Sequence, residues 1–170
     1  KLTSGTYSII LYIKTGSGAF MKTEADSFAL AREMVRIGNG AGRKTIAVVS
    51  DMDQPLGYAV GNALEVREAI ETLKGNGPED FVELCMTLGS YMLVAGGKAA
   101  DQEAAERILR EVIANGSALE KLAEFVAAQG GDRELVYHPD RLPQASIAQE
   151  IESPMDGYIQ RIVCDEIGIC

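Results

Sequence analysis

The first fifty residues alternate between two apolar runs and one helical segment, and this order constrains the fold more than any other feature. Residues 7–14 (YSIILYIK) are largely β-branched and aromatic and lie between glycines, which is typical of a buried strand. Residues 25–37 place apolar side chains at helical spacing, with Gly38 and Gly40 as stop signals, and residues 44–50 (KTIAVVS) form a second short strand. The order predicts a βαβ unit with parallel pairing, whose ligands bind near the carboxyl ends of the strands.

The rest of the chain is predicted to be mostly helical. Four segments with helical periodicity are separated by glycine-containing turns, at 62–73, 78–95, 102–114 and 118–129. Prolines and a glycine pair make residues 130–154 irregular, and the apolar run 158–163 (YIQRIV) predicts a further strand. We therefore expect an α/β fold, in which strands in a mixed or parallel sheet are flanked by helices.

The charge balance narrows the range of partners. The chain carries 16 Lys plus Arg against 25 Asp plus Glu, a formal net charge of −9. Nucleic acid and anionic membranes are bound by concentrated basic residues, so we expect neither as a partner. No apolar run reaches the roughly 18 residues that cross a bilayer, and no basic-then-apolar leader is present. Three cysteines without a CxxC spacing indicate a reducing, cytoplasmic location.

Polar residues follow both predicted strands and are the first candidates for a site. The segment 14–20 (KTGSGAF) places a glycine-rich turn before a helix, where backbone amides could cradle an anion or serve only a tight turn. The loop 51–57 (DMDQPLG) and the helix that bears Glu65 and Glu68 bring several carboxylates together. Such carboxylates could hold a hard cation or simply be solvated.

The histidine and the cysteines receive no role. His138, the one histidine of the chain, lies in an irregular stretch that matches no catalytic or metal motif, so we expect a surface residue. Cys85 falls among the apolar residues of a predicted helix, where a buried thiol behaves as a small hydrophobe. Cys164 and Cys170 match no recognised motif either.

Three long blocks occur in order along the chain: 14–22 (KTGSGAFMK), 50–57 (SDMDQPLG) and 61–69 (GNALEVREA). Together they resemble the central part of the pyrimidine-nucleoside phosphorylases, the family that includes bacterial thymidine phosphorylase. The resemblance runs over essentially the whole chain. It implies cleavage of a pyrimidine nucleoside by inorganic phosphate, giving the free base and a pentose 1-phosphate. It also implies a homodimer whose subunits have a small helical domain and a larger α/β domain.

The resemblance assigns the two parts of the chain. Residues 1–150 correspond to part of the α/β domain, and residues 151–170 to the start of a carboxyl-terminal β-rich region. The chain opens at Lys1 without a methionine and stops soon after the predicted strand at 158–163, so we expect an excerpt. The family's phosphate- and base-binding groups lie upstream of the counterpart of Lys1. No residue here is therefore assigned a catalytic role, and the 170-residue chain alone is expected to be inactive.

Four residues have roles that the resemblance implies. A potassium-like cation is bound by the carbonyl oxygens of Leu56 and Ala59 and by the carboxylate of Glu68, an oxygen set that suits a hard cation. Phe20 resembles an apolar position beside the pyrimidine, and the alternative is a core aromatic that anchors the turn. The resemblance places most of the pocket that distinguishes uridine from thymidine upstream of this chain.

Tyr7 and Tyr12 depart from the family, which usually has Asp at both positions. Tyr is bulkier than Asp and uncharged at neutral pH, so the loss of the two Asp residues is expected to count against activity. One alternative is a non-catalytic degenerate homologue, or a module that uses residues 51–68 for cation-dependent assembly. Another is a related phosphoribosyltransferase that acts on a diphosphate donor with magnesium. The blocks quoted above favour the phosphorylases.

Overall fold

The elements follow one another in the predicted order. The computed structural model describes residues 5–169. Its elements are β1 (Ser8–Thr15), α1 (Glu24–Gly40), β2 (Lys44–Asp51), α2 (Asn62–Leu73), α3 (Glu79–Ala95), α4 (Gln102–Ala114), α5 (Ser117–Ala128), α6 (Glu134–Tyr137), a 3-10 helix (Pro139–Arg141) and α7 (Cys164–Ile169). The predicted α/β fold is confirmed, and the elements predicted before residue 130 begin and end within three residues of these bounds.

The two strands pair in parallel, as the strand–helix–strand order predicts. Their register runs from the Ser8–Lys44 pair to the Thr15–Asp51 pair. Alternate side chains of β1 are buried, namely Ile9, Leu11 and Ile13. Helices α1 and α3 both pack against the two strands. Parallel strands need such cover because both faces of a parallel sheet are normally buried.

Helix α1 is capped at its start by Thr23, and near its end it packs on β2. Thr23 is the N-cap, and its Oγ1 accepts a hydrogen bond from the Asp26 backbone amide at 3.2 Å. The interpretation of Gly38 as a stop signal is wrong, since α1 continues to Gly40. A Cβ at Gly38 would come 2.1 Å from Thr45 Oγ1. This glycine therefore permits close packing of α1 on β2 and does not end the helix.

A second apolar cluster joins α2, α5 and α6. Its buried members are Ile70, Ala123 and Val136. The segment 130–154 is irregular as predicted, apart from the single turns of α6 and of the 3-10 helix that starts at Pro139. Within residues 5–169, no helix combines the length and the apolar character needed to cross a bilayer.

The strand predicted at 158–163 is not formed. These residues have no regular secondary structure, and Tyr158 and Ile159 are exposed. A strand needs a neighbour for its backbone hydrogen bonds, and no residue of the described part of the chain pairs with this run. The chain enters α7 instead, at Cys164. The assignment of 151–170 to the start of a β-rich region stays a prediction.

Candidate functional site

Two loops meet at the carboxyl ends of the strands, as the βαβ prediction requires. The first loop (residues 16–23) follows β1, and the second loop (residues 52–61) follows β2. The Gly18 amide donates to the Met52 carbonyl at 3.0 Å, and the Met52 amide donates to the Thr15 carbonyl at 2.6 Å. The Ser17 amide donates to Asp53 Oδ1 at 2.7 Å. Backbone and side-chain hydrogen bonds therefore hold the two loops together.

The amides of residues 16–19, in the glycine-rich turn of the first loop, are not free to cradle an anion. All four amides already have acceptors inside the protein. Gly16 N donates to the Met21 carbonyl, Ser17 N to Asp53, Gly18 N to Met52 and Ala19 N to the Gly16 carbonyl. Of the two interpretations left open above, the tight turn is the one that the structure supports.

Gly16 is required by the contact between the loops. Its φ is +120°, a backbone conformation that side chains rarely allow. A Cβ at this position would lie 2.8 Å from both the backbone nitrogen and Oδ1 of Asp53. The glycine is buried, so a larger residue would push the second loop away.

The second loop folds around the carboxylate of Glu68, one of the three predicted cation ligands. Glu68 Oε1 accepts hydrogen bonds from the Tyr58 amide at 2.9 Å and the Ala59 amide at 3.1 Å. The Gly57 amide donates to Asp80 Oδ2 at 2.9 Å, which ties the same turn to α3. Gly57 has φ +70°, and a Cβ there would come 2.3 Å from Glu68 Oε2. One turn is thus held by carboxylates from two helices.

All three predicted cation ligands line one cavity of about 420 Å³. These residues are Leu56, Ala59 and Glu68. The amides of the turn occupy Glu68 Oε1, while Oε2 faces Gly57. A carboxylate oxygen and two backbone carbonyls are the hard donors that alkali cations prefer, so the residues present fit such an ion.

The charge of that cavity also favours a cation. In the part of the chain that the structure describes, its lining includes the carboxylates of Glu65, Glu68 and Asp165 against the ammonium of Lys14. Residues 5–169 contain no group of three or more His, Cys, Asp or Glu side chains that could hold a metal ion. The predicted site differs from such groups because two of its three ligands are backbone carbonyls.

Phe20 projects from the first loop with 92% of its surface exposed. The neighbouring Met21 forms an isolated bridge to Thr15, which returns the chain to the end of β1. The alternative interpretation of Phe20 as a core aromatic is wrong, because the bridge and the buried Ala19 anchor this turn instead. Its predicted place beside a pyrimidine stays a prediction.

Tyr7 and Tyr12, which the resemblance places at positions of family aspartates, lie in different surroundings. Tyr7 is 86% exposed, just before β1. Tyr12 lies on β1, where its hydroxyl accepts a hydrogen bond from Ser50 Oγ at 2.9 Å, and the Lys14 ammonium lies 5.3 Å from its ring centroid. Within residues 5–169, the buried side-chain atoms without a partner are Ser27 Oγ and Arg67 Nε, on α1 and α2. Neither tyrosine thus leaves a buried polar atom of the two strands unsatisfied.

The histidine and Cys85 lie outside this cavity, and Cys164 is part of its lining. His138 is exposed, as predicted. The prediction that Cys85 is buried is wrong: α3 turns Met86 and Ser90 inward, which leaves Cys85 on its exposed side. Neighbouring atoms still desolvate the Cys85 thiol enough to raise its pKa above the ordinary value. Cys164 lines the cavity and packs against the first loop.

Two site residues were missed in the sequence. The sequence presents Asp53 only as one of several loop carboxylates, and Asp80 only as one residue of the predicted helix at 78–95. The structure gives each a backbone amide to hold, Ser17 for Asp53 and Gly57 for Asp80. A carboxylate close in sequence to a glycine turn is the signal that could have found both residues. The amides that they accept lie 36 residues away for Asp53 and 23 for Asp80, so the sequence does not reveal the partners.

Residues 1–119 match the family described as "Glycosyl transferase family, a/b domain". The chain belongs to this glycosyl transferase family.

Named relatives refine that class. The chain is 54% identical to the pyrimidine-nucleoside phosphorylase of Geobacillus stearothermophilus over 168 residues, which is 99% of this chain and 39% of the relative. It is 54% identical to the enzyme of the same name from Bacillus subtilis, and 53% identical to that from Staphylococcus aureus, with the same coverage. The resemblance stated above is thereby confirmed. The chain spans about two fifths of the length of these relatives.

Proposed function

We propose that this chain is the central segment of a pyrimidine-nucleoside phosphorylase, which transfers a pentose from a pyrimidine to inorganic phosphate. A phosphate oxygen bonds to the anomeric carbon while the bond from that carbon to the base nitrogen breaks. The base leaves with the electron pair and takes up a proton. The observation that carries the proposal is the 54% identity to proteins of that name over 99% of the chain.

In this proposal the described residues supply the scaffold and one wall of a pocket. The two loops meet where ligands of parallel sheets bind, at the carboxyl ends of β1 and β2. The exposed ring of Phe20 offers a flat apolar surface for a pyrimidine. Groups that stabilise negative charge on the departing base belong to another part of the protein, so the 170-residue chain alone is expected to be inactive.

We also propose that the cavity beside Glu68 holds potassium or a similar cation. Leu56 and Ala59 would bind it through carbonyl oxygens and Glu68 through its carboxylate. When bound, the ion supplies a fixed positive charge that joins the second loop to α2. The shared cavity, the excess of carboxylates and the hard oxygen donors support this site.

The setting that we propose is a cytoplasmic homodimer with phosphate as co-substrate and with neither nucleic acid nor membrane as partner. The net charge of −9 supports the exclusion of nucleic acid and anionic membranes, and three cysteines without a CxxC pair support the cytoplasm. The dimer and the phosphate co-substrate rest on the resemblance. Sedimentation of the complete protein tests the dimer: a monomer at the concentration used for assay would contradict it.

The test of the proposed function is phosphate-dependent release of free base. The protein encoded by the complete reading frame around this chain is incubated with uridine or thymidine, and uracil and thymine are separated by chromatography. We expect release that requires phosphate from the complete protein, and none from the 170-residue chain alone. A folded complete protein that releases neither base would reject the proposal.

One observation favours a second candidate, a degenerate homologue without activity. By the resemblance described above, Tyr7 and Tyr12 stand at positions where the family usually has Asp. The structure gives Tyr12 a partner in Ser50 and leaves Tyr7 in solvent, so both substitutions fit the fold. If the complete protein is inactive and Tyr7→Asp with Tyr12→Asp restores base release, the degenerate homologue is the correct interpretation.

A further inference from the structure

We infer that Asp53 is a positioning residue, which holds the loop that carries Phe20 against the loop that carries the cation ligands. The inference rests on the proposed function and deepens it. It assigns to one carboxylate the relative placement of the substrate wall and the cation site.

The contacts between the loops single out this side chain. Among the described residues, the hydrogen bonds that join the first loop to the second are Ser17 N to Asp53 Oδ1 at 2.7 Å, Ser17 Oγ to the Asp53 carbonyl at 3.4 Å, and Gly18 N to the Met52 carbonyl at 3.0 Å. The shortest is the one to the Asp53 carboxylate. It is also charge-assisted, and such hydrogen bonds are stronger than neutral ones.

Asp53 is itself held in place. Its backbone amide donates to Asp51 Oδ1 at 2.9 Å, at the end of β2. Its carboxylate lies close to Gly16, since a Cβ at Gly16 would come 2.8 Å from Asp53 Oδ1. Asp53 therefore has little freedom to move without moving the first loop.

The substrate wall and the cation site each lie close in sequence to one partner of the Ser17–Asp53 hydrogen bond. Phe20 is three residues beyond the Ser17 amide that the carboxylate accepts, and Leu56 is three residues beyond Asp53 itself. Cys164 N donates to Ser17 Oγ at 3.1 Å, so the start of α7 is joined to the same residue of the first loop. Small misplacements of binding groups are costly, because catalysis requires reactants in a narrow range of geometry.

The experiment compares three variants of the complete protein. Asp53→Ala removes the acceptor for the Ser17 amide. Asp53→Asn keeps an oxygen acceptor without the charge. Asp101→Ala is the matched control: Asp101 also accepts one backbone amide, from Ala104 at 2.8 Å, but it caps α4.

Two readouts are measured on each variant. Hydrogen exchange over residues 16–21 reports whether the first loop is held. Phosphate-dependent base release, analysed as KM and kcat, reports whether the pocket is formed. We expect Asp53→Ala to accelerate exchange over 16–21 and to lower kcat/KM by about tenfold, mainly through KM. Asp53→Asn should retain kcat/KM within about threefold. Asp101→Ala should change neither the exchange over 16–21 nor kcat/KM.

Two results would overturn the inference. One is exchange over 16–21 in Asp53→Ala no faster than in Asp101→Ala. The other is an equal loss of kcat/KM in both alanine variants, which would show a general loss of stability. If the unmodified protein releases no base, the proposed function fails, and the exchange comparison alone then decides whether Asp53 holds the loop.

Discussion

Carboxylates that accept backbone amides organise this site residue by residue. Glu68 holds the amides of Tyr58 and Ala59, and Asp80 holds the amide of Gly57. Loop amides have no partners from regular secondary structure, so each needs an acceptor from elsewhere or from water. A side-chain carboxylate meets that need and also fixes where the loop lies.

Gly57→Ala is predicted to destabilise the protein more than Gly97→Ala. Both glycines have positive φ, +70° and +68°, so both variants pay about 1–2 kcal/mol of backbone strain. Only at Gly57 would the new Cβ meet a neighbour, Glu68 Oε2 at 2.3 Å, whereas Gly97 has open space. Loss of the Glu68 hydrogen bonds should add roughly 1 kcal/mol. Denaturant unfolding of the two variants checks this, and equal losses would contradict it.

Phe20→Ala is predicted to change activity without changing stability. The side chain is exposed, so its removal should alter the free energy of unfolding by less than about 0.5 kcal/mol. An aromatic contact is worth about 0.5–1.5 kcal/mol, so KM for the nucleoside should rise roughly two- to tenfold. Phe125→Ala, at an exposed position on α5, is the control and should leave KM for the nucleoside unchanged. An unchanged KM in Phe20→Ala would remove Phe20 from the substrate site.

At the scale of elements, α5 and α6 are joined by a polar cluster beside their shared apolar contacts. Tyr137 donates its hydroxyl to Glu120, and Arg133 donates to the same carboxylate at 2.6 Å. The Arg133 guanidinium also lies 5.8 Å from the ring centroid of Tyr137. The Tyr137 hydrogen bond, followed by the Arg133 contact, lowers the pKa of Glu120 below its ordinary value of 4.5.

This shift predicts an acid-sensitive contact between α5 and α6. Because the pKa is lowered on folding, the contribution to stability is complete above pH 4.5 and is lost as pH falls through the lower folded pKa. Tyr137→Phe removes the largest cause of the shift, so the thermal midpoint of this variant should fall less steeply below pH 4.5. Tyr158→Phe, at a fully exposed position, should follow the unmodified protein. Identical pH profiles for Tyr137→Phe and the unmodified protein would contradict the prediction.

The elements were largely predictable because their signals are local. The spacing of apolar residues predicted α2 at 62–73 and α4 at 102–114, the bounds found in the structure. Such periodicity depends on residues three and four apart. The prediction of a strand at 158–163 failed because a strand takes its hydrogen bonds from another segment, and no pattern within six residues reveals that segment.

For the whole molecule, cation binding should couple to stability. An ion that binds only the folded state stabilises it by about 1.4 kcal/mol at ten times its dissociation constant. We expect the thermal midpoint to rise with potassium chloride but not with tetramethylammonium chloride at equal ionic strength. Glu68→Gln keeps an oxygen that can accept the Tyr58 and Ala59 amides but loses the charge, and it should abolish the potassium effect.

Glu65→Gln provides the control for that prediction. Glu65 lines the same cavity and accepts the Gly61 amide at 2.9 Å, but it is not a proposed ligand. It should retain the response to potassium. An equal loss in both variants would indicate a general effect of negative charge, and an unchanged response in Glu68→Gln would reject the site.

The sequence by itself determined the βαβ unit, the order of the helices and the family, because apolar periodicity and long motifs are properties of contiguous residues. It also placed Leu56, Ala59 and Glu68 together, through resemblance. Only the tertiary structure decided that Phe20 is exposed and that the carboxylates of Asp53 and Asp80 each hold a glycine turn. The physical reason is that burial and hydrogen-bond partners depend on which distant segments meet, and these are set only when the chain packs.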